Sequence, residues 1–228
     1  MARRIVVIGA ALFTIVLVGL LLPFIMKARL RANAAASQNN LRELTLFAAH
    51  HARPDPRAEG RRLLHEVPAG TAGPLDLPAE DRLSWVVPVL PGLDQRRVNG
   101  AQLLDTIDTA RPWGAEPNQR AARTTVPTLL CPENTPQGPP GSPALTCYVG
   151  VGGVGANAAA LPAGAPKAGA MRYDTPTPFE RVTDGLGQTL LLGETRSAVG
   201  PWLRGGPATV RGLDDAPGAG ETFRTRGD

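Results

Sequence analysis

IVVIGAALFTIVLVGLLLPFIM, residues Ile5–Met26, is the stretch that decides the fold. It carries no charged residue over 22 positions, and basic residues flank it at Arg3-Arg4 and at 27–31, KARLR. An α-helix rises about 1.5 Å per residue, so a helix of this length spans the roughly 30 Å hydrocarbon core of a bilayer. The run therefore predicts an N-terminal membrane helix, kinked at Pro23 because proline removes a backbone hydrogen bond.

A secretory signal peptide is the main alternative interpretation of this run. Ala34-Ala35-Ala36 would supply small residues for cleavage, but signal peptides have apolar regions of about 7–15 residues. Lys27, Arg29 and Arg31 also lie between the run and those alanines. We therefore expect an uncleaved single-pass anchor, with the lipid bilayer as its first partner.

The helical pattern continues beyond the membrane run. Small and apolar residues recur at steps of three and four along one helical face, namely Leu30, Ala34, Ser37, Leu41, Leu44 and Ala48. The helix is predicted to end near His51, because Arg53 precedes Pro54 and a residue before proline avoids helical geometry. We expect Leu30, Leu41 and Leu44 to pack this helix against the domain that follows.

The composition of the rest predicts short elements joined by long loops. The 228 residues include 26 Gly and 23 Pro, and aromatic residues make up 4%. Val, Leu, Thr and Tyr cluster in three candidate strands, Thr125–Leu130, Cys147–Val151 and Thr189–Leu192, and Asn118 is the candidate cap of a short helix over 118–123. The fold class is α+β: a long helix packed on a small antiparallel sheet. Three segments follow: 1–26 in the membrane, 27–52 as helix extension and 53–228 as the domain.

The net charge of +4 does not indicate a nucleic-acid binder. The arginines from Arg53 to Arg97 are mixed with acids and prolines rather than clustered with aromatic residues. A solvated surface is the better interpretation. Lys27, Arg29 and Arg31 lie where anionic lipid headgroups would be in reach.

The two cysteines, Cys131 and Cys147, leave two readings open. With the domain outside the cytoplasm we predict a disulfide between them across the Pro-rich loop, and two unpaired thiols are the alternative. A zinc site is not indicated, because the three histidines are remote in sequence and there is no Cys-x-x-Cys pair.

Catalysis has little support in the sequence. Asp184 and Glu194 are the candidates for a Ca²⁺ site, but no calcium-loop spacing accompanies them, and solvated acids or turn caps are the alternative. The glycines at 150, 152, 153 and 155 lack the Lys-Ser/Thr of a phosphate loop. The chain is expected to be no enzyme and to hold no cofactor.

Several blocks of sequence resemble one large bacterial family. It is a pseudopilin-like family with a domain of unknown function, sometimes indexed under a solute-binding label. Its features match Leu21-Leu22-Pro23, Asn39-Asn40-Leu41-Arg42 and His50-His51 in the helix. Further matching blocks, in the same order, are SWVVPVLPGLDQ (84–95), IDTARPWGAEPN (107–118), VPTLLCPE (126–133), CYVGVGGVG (147–155), VTDGLGQTLLLGET (182–195) and GPWLRGGPATVRGLD (200–214).

The resemblance implies a pilin-like architecture and an extracytoplasmic domain on the inner (cytoplasmic) membrane. It implies a non-enzymatic structural or interaction protein of a type II secretion-like or other cell-envelope assembly, with pilin-like subunits as partners. Two features depart from the family: no glutamate occurs near Val6, where prepilins have one, and we expect the sequence to lack the family's closing strand. The second function class is an anchored extracytoplasmic binding module for a small solute or polysaccharide.

Overall fold

One helix of 48 residues, α1 (Ala2–Ala49), forms the N-terminal element of the fold. The computed structural model describes residues 2–49, 52–54, 61–63, 65–93, 98–133, 135, 138–195 and 199–214. Within 2–16, 52–54 and 61–63 it describes the backbone alone, apart from the side chains of Val7 and Phe13. We call the described residues from 65 onward the body.

Helix α1 runs without interruption through Pro23 to Ala49, and its predicted end near His51 lies outside the described residues. Part of the predicted membrane span, Ile5–Met26, falls on side chains outside the described residues, so the span and its kink stay predictions. Within the part of the chain that the structure describes, no helix combines the length and apolar character needed to cross a membrane.

Short elements make up the body, as the Gly and Pro content predicts. The α-helices are α2 (Val86–Val89), α3 (Gly100–Asp105) and α4 (Gln119–Arg123). Single-turn 3₁₀ helices lie at Leu90–Gly92, Glu116–Asn118, Pro127–Leu129, Ala158–Ala160, Phe179–Arg181, Leu186–Gln188 and Gly206–Ala208.

Eleven short strands are found among the described residues. They are β1 (Ala52–Pro54), β2 (Arg61–Leu63), β3 (Glu66–Val67), β4 (Thr71–Ala72), β5 (Leu83–Ser84), β6 (Leu145–Thr146), β7 (Tyr148–Val154), β8 (Thr177–Pro178), β9 (Leu192–Glu194), β10 (Gly200–Pro201) and β11 (Val210–Leu213).

The strands form several small sheets rather than the single antiparallel sheet expected. The pairs β1–β2, β3–β8, β4–β5 and β6–β10 are antiparallel. The largest described sheet has the order β11–β7–β9, in which β7 pairs antiparallel with β9 and parallel with β11. Frequent prolines and glycines end each ladder after a few residues, because proline lacks the N–H that a ladder requires.

Two of the three predicted strands need correction. The segment 125–130 contains the 3₁₀ helix Pro127–Leu129, with Pro127 at its start, instead of a strand. The segment predicted as Thr189–Leu192 becomes a strand only at Leu192. The third prediction, Cys147–Val151, matches β7, which extends it to Val154.

The core gathers around the end of α1 and the two largest buried side chains, Trp85 and Trp202. Both indoles find hydrogen-bond acceptors: Trp85 Nε1 donates to the Thr209 carbonyl at 3.0 Å, and Trp202 Nε1 to the Thr124 carbonyl at 2.9 Å. Indole N–H groups in a core need such partners. The backbone around Thr209 and Thr124 is thereby fixed to the core.

The glycine run in β7 has a packing role. A Cβ at Gly150 would overlap the sulfur of Met171, and one at Gly152 would lie 2.5 Å from the Cβ of Ala159. Gly153, with φ of +122°, also lies against the backbone near Lys167. These glycines therefore let neighbouring segments approach the strand closely.

Candidate functional site: the seam between helix and body

The last part of α1 is built into the body, and we call this contact, formed by residues Ser37–Ala48 of α1, the seam. Ser37, Leu44 and Ala48 are buried, and Leu41 and Phe47 pack against the core from its edge. Their spacing of three and four residues places them on one helical face. The opposite face, including Gln38 and Arg42, is exposed. The seam therefore has the apolar stripe of a helix packed on a globular body.

A chain of polar groups crosses the seam at its start. Tyr148 on β7 is fully buried, and its hydroxyl lies 3.1 Å from Ser37 Oγ. Ser37 Oγ donates to the carboxylate of Glu194 on β9, so its own proton is in use. Tyr148 must then donate to Ser37, and Asn40 Nδ2 donates to the Tyr148 oxygen at 3.4 Å. Asn40 therefore donates to Tyr148, Tyr148 donates to Ser37, and Ser37 donates to Glu194.

Burial is the main reason that the pKa of Tyr148 is raised. The hydrogen bonds of Tyr148 with Ser37 and Asn40 lower its pKa, and the charge of Glu194 raises it further. The phenol therefore stays protonated at neutral pH and remains a donor. Linked hydrogen bonds of this kind strengthen one another in a low-dielectric interior.

The disulfide is adjacent in sequence to two residues that accept from Asn40. Cys131 and Cys147 are bonded, with their Cα atoms 6.0 Å apart, within the range a disulfide requires. The neighbour of the first cysteine, Leu130, accepts a hydrogen bond from Asn40 Nδ2 at 3.2 Å through its carbonyl. The neighbour of the second is Tyr148. The disulfide thus joins the segments that carry the two acceptors of Asn40 Nδ2, the Leu130 carbonyl and the Tyr148 hydroxyl.

A second buried polar group, Arg82, organises the loop that follows β4. Its Nε donates to the Leu77 carbonyl at 2.6 Å, and Nη2 donates to the Leu75 carbonyl at 3.0 Å. Nη1 donates to Thr71 Oγ1 at 3.3 Å and forms a salt bridge with Asp174 at 2.6 Å. A buried guanidinium requires this degree of pairing. Its role is to fix the loop, and no sequence signal set it apart from the exposed arginines.

Asn118 also has a different role from the one predicted. Its side chain makes no cap bond to α4. It is fully buried, accepts from the Asp108 amide at 2.8 Å and donates to the carbonyls of Asp108 and Pro112 at 3.1 and 2.9 Å. The amide group has both donor and acceptor atoms, so it replaces backbone partners for this loop.

The remaining predicted site residues are divided between the seam and the surface. Leu44 is buried and Leu41 is half-buried, whereas Leu30 is 50% exposed, so the prediction that Leu30 packs on the body is wrong. The body begins to cover α1 near Ser37, about 10 Å further along the helix axis, at about 1.5 Å per residue. The apolar stripe of α1 therefore begins before the part of the helix that the body covers.

The two calcium candidates do not come together with other acids. Asp184 is exposed in the turn before Gly185, and Glu194 is part of the seam. Among the residues that the structure describes, no three His, Cys, Asp or Glu side chains form a group suited to a metal ion. Glu194 instead has a partner in α1 that the sequence did not reveal.

The described residues line two clefts, one at the disulfide loop and one at the seam. One, of about 290 Å³, follows the disulfide loop and is lined partly by Arg123 and the hydroxyls of Thr125, Thr135 and Ser142. The other, of about 480 Å³, is a shallow groove between α1 and the segment around Gly92, with Leu46 and Phe47 on its helix side. Among their described lining residues, neither cleft places a nucleophile beside a base.

Comparison with known proteins gives one family. The search of curated proteins and the search of solved structures both returned no match. A family model described as "Protein of unknown function (DUF1559)", also labelled SBP_bac_10, matches residues 26–216. This range begins at the end of the apolar run and includes the seam, the disulfide and the largest sheet. The chain therefore belongs to the DUF1559 family.

Proposed function

We propose that this protein is a membrane-anchored, non-enzymatic, pseudopilin-like structural or interaction protein of a bacterial cell envelope. In this proposal the N-terminal half of α1 crosses the inner membrane and the body lies outside the cytoplasm. The observation that carries the proposal is the division of one continuous helix into two environments: an apolar part that the body leaves uncovered and a part built into the seam.

The uncovered part is strongly apolar. From Leu17 to Met26 every described side chain is exposed, and the large apolar ones are between 45% and 71% accessible. Soluble monomers rarely leave a continuous apolar surface of this extent in water. Lipid tails and the helices of neighbouring subunits are the environments that would cover it.

The seam supports the same proposal. The start of α1 at the seam bonds to β7, β9 and the loop around Leu130, which are separate segments of the body. Since all three hold the same helix, the position of the body follows the position of the anchor. A rigid connection of this kind is what a subunit needs if its anchor sets its place in an assembly.

Membrane fractionation tests the placement. The full chain should stay with membranes after alkaline carbonate extraction, because a spanning helix is not released by loss of surface charge contacts. External protease should cleave the body in spheroplasts without lysis. Recovery in the soluble fraction, or a body protected until lysis, would contradict the proposal.

Site-specific photocrosslinking tests the interaction role. A photoreactive residue at Phe24, which is 71% exposed on the apolar part of α1, should crosslink to lipid or to pilin-like subunits. The same probe at Leu75, which is 67% exposed on the body, is the matched control. Identical products from both positions would remove the support for a specific helix contact.

An anchored binding module is the second candidate, favoured by the cleft beside the disulfide loop. Its lining combines one cation, Arg123, with the hydroxyl-bearing Thr125 and Ser142, a set suited to an acidic sugar or small carboxylate; the Thr135 hydroxyl donates to the Cys131 carbonyl. Titration with an acidic oligosaccharide, a neutral one as comparison and Arg123→Gln as variant would test it. No saturable binding of the acidic ligand would exclude this candidate ligand class.

A further inference from the structure

We propose that Lys27, Arg29 and Arg31, which we call the basic collar, bind the headgroups of anionic phospholipids in the leaflet that faces the body. This inference rests on the membrane placement proposed above and names the lipid class at that site. All three side chains are exposed on α1. They follow directly after Met26, the last residue of the apolar run.

The positions of the collar match the dimensions of a bilayer surface. A headgroup layer is about 5–8 Å thick on each side, the difference between a whole bilayer and its core. Five helical residues, 27–31, rise about 7.5 Å, so the collar fits this layer when Met26 lies at the edge of the hydrocarbon. Ser37, where the body begins to cover α1, is then about 9 Å further out than Arg31.

The cations surround the helix rather than marking one face. At 100° per residue, Lys27 and Arg31 lie within about 40° of each other, and Arg29 lies on the opposite side. A protein partner docking on one side would meet only part of this set. Lipid headgroups encircle a spanning helix and would meet all three.

The charges of the collar are available for a ligand. No Asp or Glu occurs in the sequence before Glu43, about 18 Å beyond Arg31 along the axis. No acidic side chain among the described residues forms a salt bridge with the collar. Glu194 accepts a hydrogen bond from Ser37, and Ser37 lies about 9 Å from Arg31 along the helix axis. This distance is about one Debye length at physiological salt. The local field is therefore positive.

Lipid selectivity in vesicles tests the proposal. The full chain, labelled through Ala32→Cys, is inserted into phosphatidylcholine vesicles containing a trace of acyl-labelled acceptor lipid. The native cysteines are buried in a disulfide, so a maleimide donor labels position 32 alone. Energy transfer to labelled phosphatidylglycerol should exceed transfer to labelled phosphatidylcholine. Each contact between a collar cation and the anionic headgroup should raise the association constant of that lipid with the protein roughly fivefold. The difference should shrink at high salt.

Matched triple variants separate the collar from general charge. Replacing Lys27, Arg29 and Arg31 by Gln should reduce the selectivity to about one. Replacing the exposed body residues Arg111, Arg120 and Arg181 by Gln removes the same charge and should leave it unchanged. Equal affinity for both lipids in the parent chain, or selectivity retained without the collar, would overturn the inference. Failure to insert into vesicles at all would instead contradict the proposed function.

Discussion

Truncation of Leu44 to Ala is the sharpest test of the seam. Leu44 is fully buried at the middle of the α1 contact and belongs to the same core as Trp85. Removing three carbon atoms from such a site loses their transfer free energy and leaves a cavity, which together cost about 2–5 kcal/mol. For a protein of this size, each kcal/mol lowers the unfolding temperature by about 2–4 °C. We expect a decrease of about 4–20 °C.

Leu46→Ala is the matched control, because it makes the same chemical change two residues further along the same helix. Leu46 is 50% exposed, so its truncation removes less buried area and leaves no enclosed cavity, at a cost of about 1 kcal/mol or less. Thermal unfolding of the full chain in mild detergent, followed by the emission of the buried Trp85 and Trp202, measures both variants. Equal shifts in the two variants would refute the packing of α1 described here.

Three further predictions concern polar and backbone contacts. Tyr148→Phe should lower the free energy of unfolding in urea by about 0.5–1.5 kcal/mol, the net value of a typical hydrogen bond. Burial raises the pKa of Tyr148, so the folded state holds the phenol proton more tightly than the unfolded chain. The free energy of unfolding should therefore fall as pH rises above about 10, and it should fall less steeply in Tyr148→Phe. Gly100→Ala should reduce the melting temperature clearly, because the new Cβ would overlap the Leu90 carbonyl, whereas Gly114→Ala meets nothing within 4 Å and should be neutral by calorimetry. Arg82→Met should lower the free energy of unfolding by about 1–3 kcal/mol, read from the urea midpoint, because it leaves the Leu75 and Leu77 carbonyls without their donor, while Asp174, which is 63% exposed, stays hydrated.

The long helix was the part of the fold that the sequence predicted best. Its apolar run and the three- and four-residue steps after it are local patterns, and the chain is helical from Ala2 to Ala49, whereas the expected end at His51 lies outside the described residues. The error at Leu30 has a physical reason. Periodicity shows which face of a helix is apolar, but it does not show where along the helix the body begins.

The strands of the body were harder to predict because tertiary contacts decide them. Pro127 begins a 3₁₀ turn in a segment whose Val, Thr and Leu content favours a strand. Strands of two to four residues, which most of this body contains, carry too little alternation to set a register. The parallel pair β7–β11 joins segments about 60 residues apart, which no local pattern indicates.

The polar groups of the seam show a further limit of sequence reasoning. Ser37 was assigned to the helix stripe as a small residue, and Glu194 to a calcium site, but together they form one hydrogen bond across 157 positions. Asn40 formed part of a family motif without a stated role. A single sequence shows the residue types at these positions, but only the fold shows that they meet.

The disulfide connects these observations. A bond between residues 16 positions apart restricts the unfolded chain by about 3 kcal/mol in the loop-entropy model, wherever in a protein it lies. Here it also joins the segments that carry the Leu130 carbonyl and the Tyr148 hydroxyl, both of which accept from the single Asn40 amide group. One amide nitrogen can serve two acceptors only if they are held close to each other. The disulfide therefore joins the two chain segments that bond to Asn40 of α1, because Leu130 and Tyr148 are the residues next to the two cysteines.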